Sequence, residues 1–225
     1  MRVFIQSIVA QILLNPYIFW RGYQAIPPQK SWRIPYILFF ILELSLFFFG
    51  FTFRNVLPDS VMITIQYICN TWYIASIYIT LSLLVLEVLR LSNRFFHWFP
   101  GRMTGHWKQT KLTLFFLIIA IVTGLMFHAY HVVAYPIVKD VYVTLPKGSS
   151  ERDSMTIVMM SDLHIGEMIG KELVQRYVKM SNEQHPDMVV LVGDIMDYES
   201  RFAEKAHIEE DLKQLKACLL YTSDA

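Results

Sequence analysis

An aspartate and a histidine stand two residues apart after a short apolar run in the stretch IVMMSDLHIGEMIG, residues 157–170. Asp162 and His164 offer a carboxylate oxygen and an imidazole nitrogen, both common ligands of divalent metal ions in proteins. On an extended segment, residues i and i+2 point the same way, as two ligands of one metal ion must. The pattern indicates a metal site, and the alternative is two polar residues in a turn.

A second acidic residue follows another apolar run. The sequence MVVLV, residues 188–192, shows no alternation and ends at Gly193 and Asp194. Between the two runs, residues 171–184 carry apolar side chains at helical spacing. Two apolar strands joined by a helix predict a right-handed βαβ unit in a parallel sheet.

This arrangement predicts where the polar residues lie. Ligands of open α/β sheets bind outside the carboxyl ends of the strands, and Asp162, His164 and Asp194 all fall there. Adjacent parallel strands are roughly 4.8 Å apart, so side chains just past their ends can share a metal ion. Gly193 would let the backbone approach closely beside Asp194.

Two further elements are predicted around this unit. Residues 139–146, KDVYVTLP, alternate and are rich in β-forming residues, so they predict a strand. Residues 202–217 have the spacing of an amphipathic helix.

Composition divides the chain into two parts. Of the 225 residues, 54% belong to the apolar AVILMFWYC set and 17% are charged, which is apolar for a soluble protein. Only three acids, Glu43, Asp59 and Glu87, precede residue 140. We therefore predict a membrane domain over residues 1–138 and a water-soluble part after it. The formal net charge of +1 argues against a nucleic-acid-binding protein.

Four apolar segments could cross a bilayer. Residues 34–53, 61–89 and 112–135 carry at most one charge each. At about 1.5 Å per helical residue, each covers the hydrocarbon core of roughly 30 Å. Residues 3–20 are interrupted by polar residues and Pro16, and we take them as a fourth span.

Basic residues set the predicted orientation. With four spans, the connections at residues 22–33 and 90–111 lie on one side, which the positive-inside rule makes cytoplasmic. The water-soluble part, following the fourth span, is then expected outside the cytoplasm. The basic residues on the first side are Arg21, Lys30, Arg33, Arg90, Arg94, Arg102, Lys108 and Lys111, against Arg2 and Arg54 on the other.

The two motifs resemble a known family. SDLHIG, residues 161–166, and VVLVGDIMD, residues 189–197, resemble the first two blocks of the calcineurin-like metallophosphoesterase superfamily. The membrane spans ahead of them resemble its bacterial membrane-anchored members, which implies the bacterial cytoplasmic membrane. The resemblance implies a four-layer α/β/β/α sandwich with two divalent metal ions at the strand ends. It implies that Asp162 and His164 bind the first metal ion and that Asp194 bridges both.

The later blocks of the superfamily do not occur in this sequence. These blocks carry an Asn-His pair, a further histidine and a Gly-His-x-His motif, and they supply the general acid and the other ligands. The resemblance covers residues 155–217, fewer than the roughly 200 that such a sandwich needs. We therefore expect a fragment of the α/β domain, over residues 139–217, that is inactive by itself. Residues 218–225, CLLYTSDA, abandon the helical pattern and are interpreted as a non-native tail.

For the intact protein, the motifs predict metal-dependent hydrolysis of phosphoester or pyrophosphate bonds. Two metal ions would activate water and neutralise charge on the phosphoryl oxygens. Mn, Fe, Zn and Mg all suit the ligands. Tethering raises the effective concentration of lipid-linked substrates, and a soluble phosphoester is an equal alternative.

Two rival functions remain open. One is a membrane sensor or interaction protein whose outer domain keeps the fold without catalysis. The other is a small transporter in which Glu43, Asn70, His128 and His131 line a path. The transporter is less favoured because the spans hold few polar residues and the sequence shows no paired charge. Glu43 has no obvious partner in the sequence, and we expect it to make a structural contact within the helical bundle.

Overall fold

The structure, a computed structural model, describes residues 2–53, 56–97, 99–101, 105–146, 153–166, 169–196, 201–217 and 219–223. Arg54 and Arg102, which the orientation argument uses, lie outside these residues. The chain forms two compact units, Met1–His131 and Val132–Ala225.

The first unit is built from four long helices. Three of them, α2, α3 and α4, are long and apolar enough to cross a membrane. The structure thus agrees with a helical membrane anchor, whereas the fourth span stays a prediction because α1 is not among the three. The helices are α1 (Arg2–Ala25), α2 (Lys30–Thr52), α3 (Asp59–Phe96) and α4 (Trp107–Ala134).

Apolar side chains cover the outside of this unit. Leu42 of α2 is 60% exposed, Val88 of α3 65% and Phe127 of α4 70%. A contiguous apolar surface of this kind is matched by lipid rather than by water.

A buried carboxylate joins α1 to α2. Glu43 is 4% exposed and accepts hydrogen bonds from Gln11 Nε2 and Asn15 Nδ2, each at 2.9 Å. Trp72 Nε1 of α3 donates to Asn15 Oδ1 at 3.0 Å. The structural contact expected for Glu43 within the bundle is confirmed, and its partners, which the sequence did not reveal, are polar residues that interrupt the first apolar segment.

The first unit also contains a paired charge. Arg21 near the end of α1 forms an ion pair with Glu87 of α3. The absence of paired charges, which the sequence argument used against a transporter, was therefore a wrong expectation. The pair joins α1 to α3 near one end of the helices and gives no polar path through them.

The second unit contains the predicted βαβ arrangement. Strand β1 and strand β2 are parallel, in a register that runs from Ile157 opposite Met188 to Ser161 opposite Val192. Helix α5 lies between them in the chain, and a third parallel strand, β3, pairs with β2. The elements are β1 (Ile157–Ser161), α5 (Lys171–Glu183), β2 (Met188–Val192), α6 (Arg201–Lys205), α7 (Ile208–Leu212) and β3 (Leu219–Ser223).

A small apolar core holds the sheet against the helices. Val189 and Leu191 of β2 are 0% and 3% exposed, and they pack with residues of the loop after β1 and of α5, α6 and α7. The core residues are Leu163, Ile165, Val174, Val178, Val189, Leu191, Ala203 and Ile208. The four-layer sandwich is larger than this unit and stays a prediction.

The strand predicted over residues 139–146 is not formed. These residues are irregular, and Tyr142 and Leu145 are 93% and 77% exposed. High β-propensity stabilises a strand only where neighbours cover one face and complete the hydrogen-bonded ladder. The described part of the chain places no strand beside them.

The single helix predicted over residues 202–217 is two short helices. His207 adopts a left-handed backbone with φ 52° between α6 and α7, which breaks the helical path. Gln175 Nε2 of α5 donates to Asp211 Oδ1 at 2.8 Å, and Asp211 is 4% exposed. This buried contact fixes α7 against α5.

Residues 219–223, which the sequence interpretation assigned to a non-native tail, form β3. Pairing runs from Met188 opposite Leu219 to Val192 opposite Ser223. The origin of the tail stays a prediction.

We expect Asn15→Leu to lower the stability of the helical unit by about 1–2 kcal/mol. The substitution removes a donor to Glu43 and the acceptor of Trp72, so polar groups are left unpaired inside the bundle. Unfolding by dodecyl sulfate, followed by circular dichroism of the helices, measures the change. Asn70→Leu is the matched control because Asn70 is exposed on α3, and equal losses in both variants would contradict the role of the network.

Candidate metal centre

The pairing of β1 with β2 continues into the loops that follow them. Asp162 N donates to Val192 O at 2.9 Å, and His164 N donates to Asp194 O at 3.0 Å. One residue further, Ile165 N donates to Ile195 O at 2.9 Å. The structure therefore brings the two sequence motifs side by side at the carboxyl edge of the sheet.

Side chains in the loop after β1 alternate between core and surface. Leu163 is 7% exposed and Ile165 is fully buried, whereas Asp162 and His164 are exposed. The two buried residues anchor the loop in the core. The two predicted ligands consequently lie on the exposed side of the loop.

This loop has an unusual backbone. Asp162 and His164 adopt left-handed conformations with φ 50° and 46°. Such conformations cost residues other than glycine about 1 kcal/mol or more and persist where surrounding contacts enforce them. Here the hydrogen bonds to Val192 and Asp194 supply that enforcement. Strained backbone of this kind concentrates at functional sites.

Gly193 accommodates a close approach from the loop after β1. Its φ is +75°, and a Cβ built on it would lie 2.4 Å from Asp162 Oδ1 and 3.1 Å from Asp162 Cγ. The carboxylate of Asp162, across the strands, thus occupies the space that a Cβ would need. Both the backbone conformation and the space require glycine here.

The ligand atoms themselves are not gathered into a compact group. Asp194 is exposed at the same edge, but Asp162, His164 and Asp194 are not a set whose ligand atoms all lie within 4.8 Å of one another. Within the described residues, such a set is formed by His207, Glu209 and Glu210, which are all exposed. Sequence reasoning did not single out this H-x-E-E segment. Exposed acidic residues often cluster without binding a metal ion. The set of His207, Glu209 and Glu210 therefore serves as a control for metal binding by Asp162, His164 and Asp194.

The chemistry of the first set fits a divalent cation. Two carboxylates and one imidazole provide oxygen and nitrogen donors from two neighbouring loops, and these donors suit Mn, Fe, Zn and Mg. Side chains of all three residues are exposed and can reorient on a backbone that the inter-strand hydrogen bonds hold in place.

Three curated relatives illustrate what this chain is similar to. A Danio rerio protein named "Transmembrane protein with metallophosphoesterase domain" is 28% identical over 95% of this chain and 49% of its own length. A Caenorhabditis elegans protein with metallophosphoesterase in its name is 25% identical over 72% of this chain and 33% of its own length. A Helicobacter pylori protein named "Uncharacterized metallophosphoesterase" is 26% identical over 75% of this chain and 43% of its own length.

Comparisons with family models and with solved structures found no significant match. The chain spans about half, or less, of the length of the curated relatives described above.

The fold, the site and the relatives together define a phosphoesterase-like membrane protein. The resemblance to the calcineurin-like metallophosphoesterase superfamily, predicted from Asp162, His164 and Asp194, is confirmed by the relatives. Their family implies binding of divalent metal ions. Animal and bacterial relatives both occur among them, so the bacterial membrane-anchored type stays a prediction.

We expect Gly193→Ala to destabilise the second unit by about 1–3 kcal/mol, since alanine resists φ +75° and its Cβ would meet the Asp162 carboxylate. The same change should displace Asp162 and weaken metal binding. Thermal unfolding of the whole chain and titration with Mn²⁺ measure the two effects.

Gly170→Ala provides the matched control. Gly170 precedes α5 with φ −87°, and nothing lies within 4 Å of a Cβ placed there. We expect its unfolding temperature and Mn²⁺ affinity to match those of the parent chain. A tolerated Gly193→Ala would show that the Asp162 carboxylate does not depend on this contact.

Proposed function

We propose that the protein is a membrane-anchored, metal-dependent phosphoesterase that hydrolyses phosphoester or pyrophosphate bonds at a two-metal site. The observation that carries this proposal is that the Asp162 carboxylate occupies the space where a Cβ on Gly193 would lie. It joins the two sequence motifs of a superfamily whose name the relatives bear.

The chain's own residues have distinct tasks in this proposal. Asp162 and His164 would hold one metal ion, and Asp194 would be a ligand of both metal ions. When bound to these residues, divalent ions would supply positive charge for polarising phosphoryl oxygens and activating water. Leu163 and Gly193 are positioning residues, because the first anchors the loop in the core and the second leaves room for the Asp162 carboxylate.

A non-catalytic role is the second candidate. It is favoured by one observation, that the ligand atoms of Asp162, His164 and Asp194 do not all lie within 4.8 Å of one another. In a membrane sensor or interaction protein, the same loops would keep the fold without turnover.

The proposed location is a cytoplasmic membrane, with the phosphoesterase-like unit outside the cytoplasm. The basic connection at residues 90–111 lies between α3 and α4, and the basic stretch at residues 21–33 precedes most of α2. These two stretches lie on the same side of the membrane, because the chain crosses once through α2 and returns through α3. This holds whether or not α1 crosses the membrane. The residues after α4 therefore emerge on the opposite side with either three or four spans, and the positive-inside rule makes that side extracytoplasmic.

The proposed substrate is a phosphoester or a pyrophosphate. It is either linked to a membrane lipid or soluble. Anchoring raises the effective concentration of a lipid-linked substrate at the site.

We expect Asp194→Asn to weaken Mn²⁺ binding at least about tenfold. Loss of a group that only supports a metal ligand lowers metal affinity roughly 10- to 100-fold. The Asp194→Asn change removes the negative charge of a proposed ligand itself. Electron paramagnetic resonance of free Mn²⁺ during a titration of the whole chain measures the affinity. Glu209→Gln is the matched control, since it alters the exposed His207 set, and its affinity should stay within about twofold.

The same pair of variants separates binding from catalysis. If Glu209→Gln weakens Mn²⁺ binding and Asp194→Asn does not, the assigned centre is wrong. In a protein of the relatives' length that carries these residues, Asp194→Asn should lower p-nitrophenyl phosphate hydrolysis roughly 100-fold or more, because metal ions contribute several kcal/mol to transition-state stabilisation. Metal binding without any hydrolysis would favour the sensor.

We expect a cysteine introduced at Glu209, in an expressed chain whose two native cysteines are replaced (Cys69→Ser with Cys218→Ser), to react with a membrane-impermeant maleimide in intact cells. Glu209 is exposed in the second unit, whereas a cysteine at Lys108, in the basic connection, should react only after the membrane is permeabilised. The reverse labelling pattern would overturn the proposed orientation.

A further inference from the structure

The helical unit encloses a large apolar cavity. Its volume is about 710 Å³, within the range of roughly 300–1,000 Å³ typical of small-molecule sites. All four helices contribute to its wall, with Ile18 from α1, Phe39 from α2, Trp72 from α3 and Val122 from α4 among the apolar residues. A cavity of this composition excludes a hydrophilic solute and suits hydrocarbon.

One end of the cavity is basic. Arg21, Arg90 and Lys111 line it there, at the end of α1, near the end of α3 and near the start of α4. No aspartate or glutamate lines the cavity within the described residues. The site thus has an apolar body and a cationic mouth.

The three cations are not equivalent. Arg21 is already paired with Glu87. Arg90 and Lys111 lie 5.8 Å and 6.0 Å from the centre of the Trp107 ring, and neither forms an ion pair with the described residues. Two positive charges without a carboxylate partner remain at the mouth, beside an aromatic ring of the kind that sits at headgroup level.

We propose that this cavity binds one anionic phospholipid of the surrounding bilayer. The phosphate of the headgroup lies between Arg90 and Lys111, and an acyl chain occupies the space lined by Phe39, Trp72 and Val122. Charge complementarity selects the lipid, because two unpaired cations favour a net negative headgroup over a zwitterionic one. The apolar wall selects a lipid over free phosphate. This site belongs to the helical unit and does not rest on the proposed phosphoesterase function.

Native mass spectrometry of the delipidated whole chain tests the proposal. Phosphatidylglycerol and phosphatidylcholine with the same acyl chains are added at equal concentration, and the bound copies are counted. Each basic residue beside an anionic surface is worth about 1 kcal/mol, a factor of roughly five in affinity. We expect the parent chain to retain one phosphatidylglycerol preferentially, and Arg90→Gln with Lys111→Gln to lower its affinity roughly 25-fold.

A matched control removes the same charge elsewhere. Arg94→Gln with Lys108→Gln alters two basic residues of the same connection that do not line the cavity, and we expect it to keep the preference. If both double variants lose affinity for phosphatidylglycerol equally, the lipid is attracted to the basic surface in general, and the proposed site is overturned.

A third variant tests the apolar body without changing charge. Ala75 lines the cavity, and Ala75→Phe should lower retention of phosphatidylglycerol by filling the acyl space, with the helical circular dichroism unchanged. Excess inorganic phosphate should leave the bound lipid in place. Displacement by phosphate, or full retention in Ala75→Phe, would show that the headgroup alone is bound and overturn the proposal.

Discussion

The parallel pairing of β1 with β2 is the interaction on which the candidate metal centre depends. Its register places Ser161 opposite Val192, so that the residues directly after each strand become neighbours. A slip by one residue would exchange the faces of every side chain. It would carry Asp162 toward the core and the apolar Leu163 toward solvent.

Burial in the core is what prevents that slip. Val189 and Leu191 on β2 and Leu163 and Ile165 after β1 are all buried, and burying each large apolar side chain contributes about 1.5–3 kcal/mol. The ligands thus lie between core residues in the sequence. The direction of these candidate ligands depends on this apolar packing together with the backbone hydrogen bonds that Asp162 and His164 donate to β2 and the loop after it.

A different constraint governs the helical unit, where lipid offers no hydrogen bonds. Glu43 is stabilised there because Gln11 and Asn15 donate to it, and Asn15 in turn accepts from Trp72. A polar group without such partners would be costly in hydrocarbon. The polar residues that interrupt the apolar sequence of α1 are therefore the ones whose side chains hydrogen-bond to α2 and α3.

Much of the second unit could be predicted because its signals are local. The apolar runs before Asp162 and Gly193, with a helical pattern between them, were sufficient to predict the parallel βαβ unit. The irregular segment at residues 139–146 and the break at His207 could not be predicted, since the first depends on a neighbouring strand and the second on contacts with α5. The contact of Asp162 with Gly193 joins residues far apart in the chain, and only the fold reveals it.

The resemblance to the superfamily was likewise predictable, because two short motifs carry it, whereas the arrangement of the candidate ligand atoms was not. Asp162 and Asp194 place two negative charges at one edge of the sheet. Like charges that approach each other without a cation are mutually destabilising, which favours exposed side chains that stay apart. A divalent cation reverses the sign of that interaction, so gathering the carboxylates becomes favourable only together with binding. The backbone, with its left-handed residues held by hydrogen bonds to β2 and the loop after it, is already in place, and the side chains are the part of the proposed centre that a cation would have to bring together.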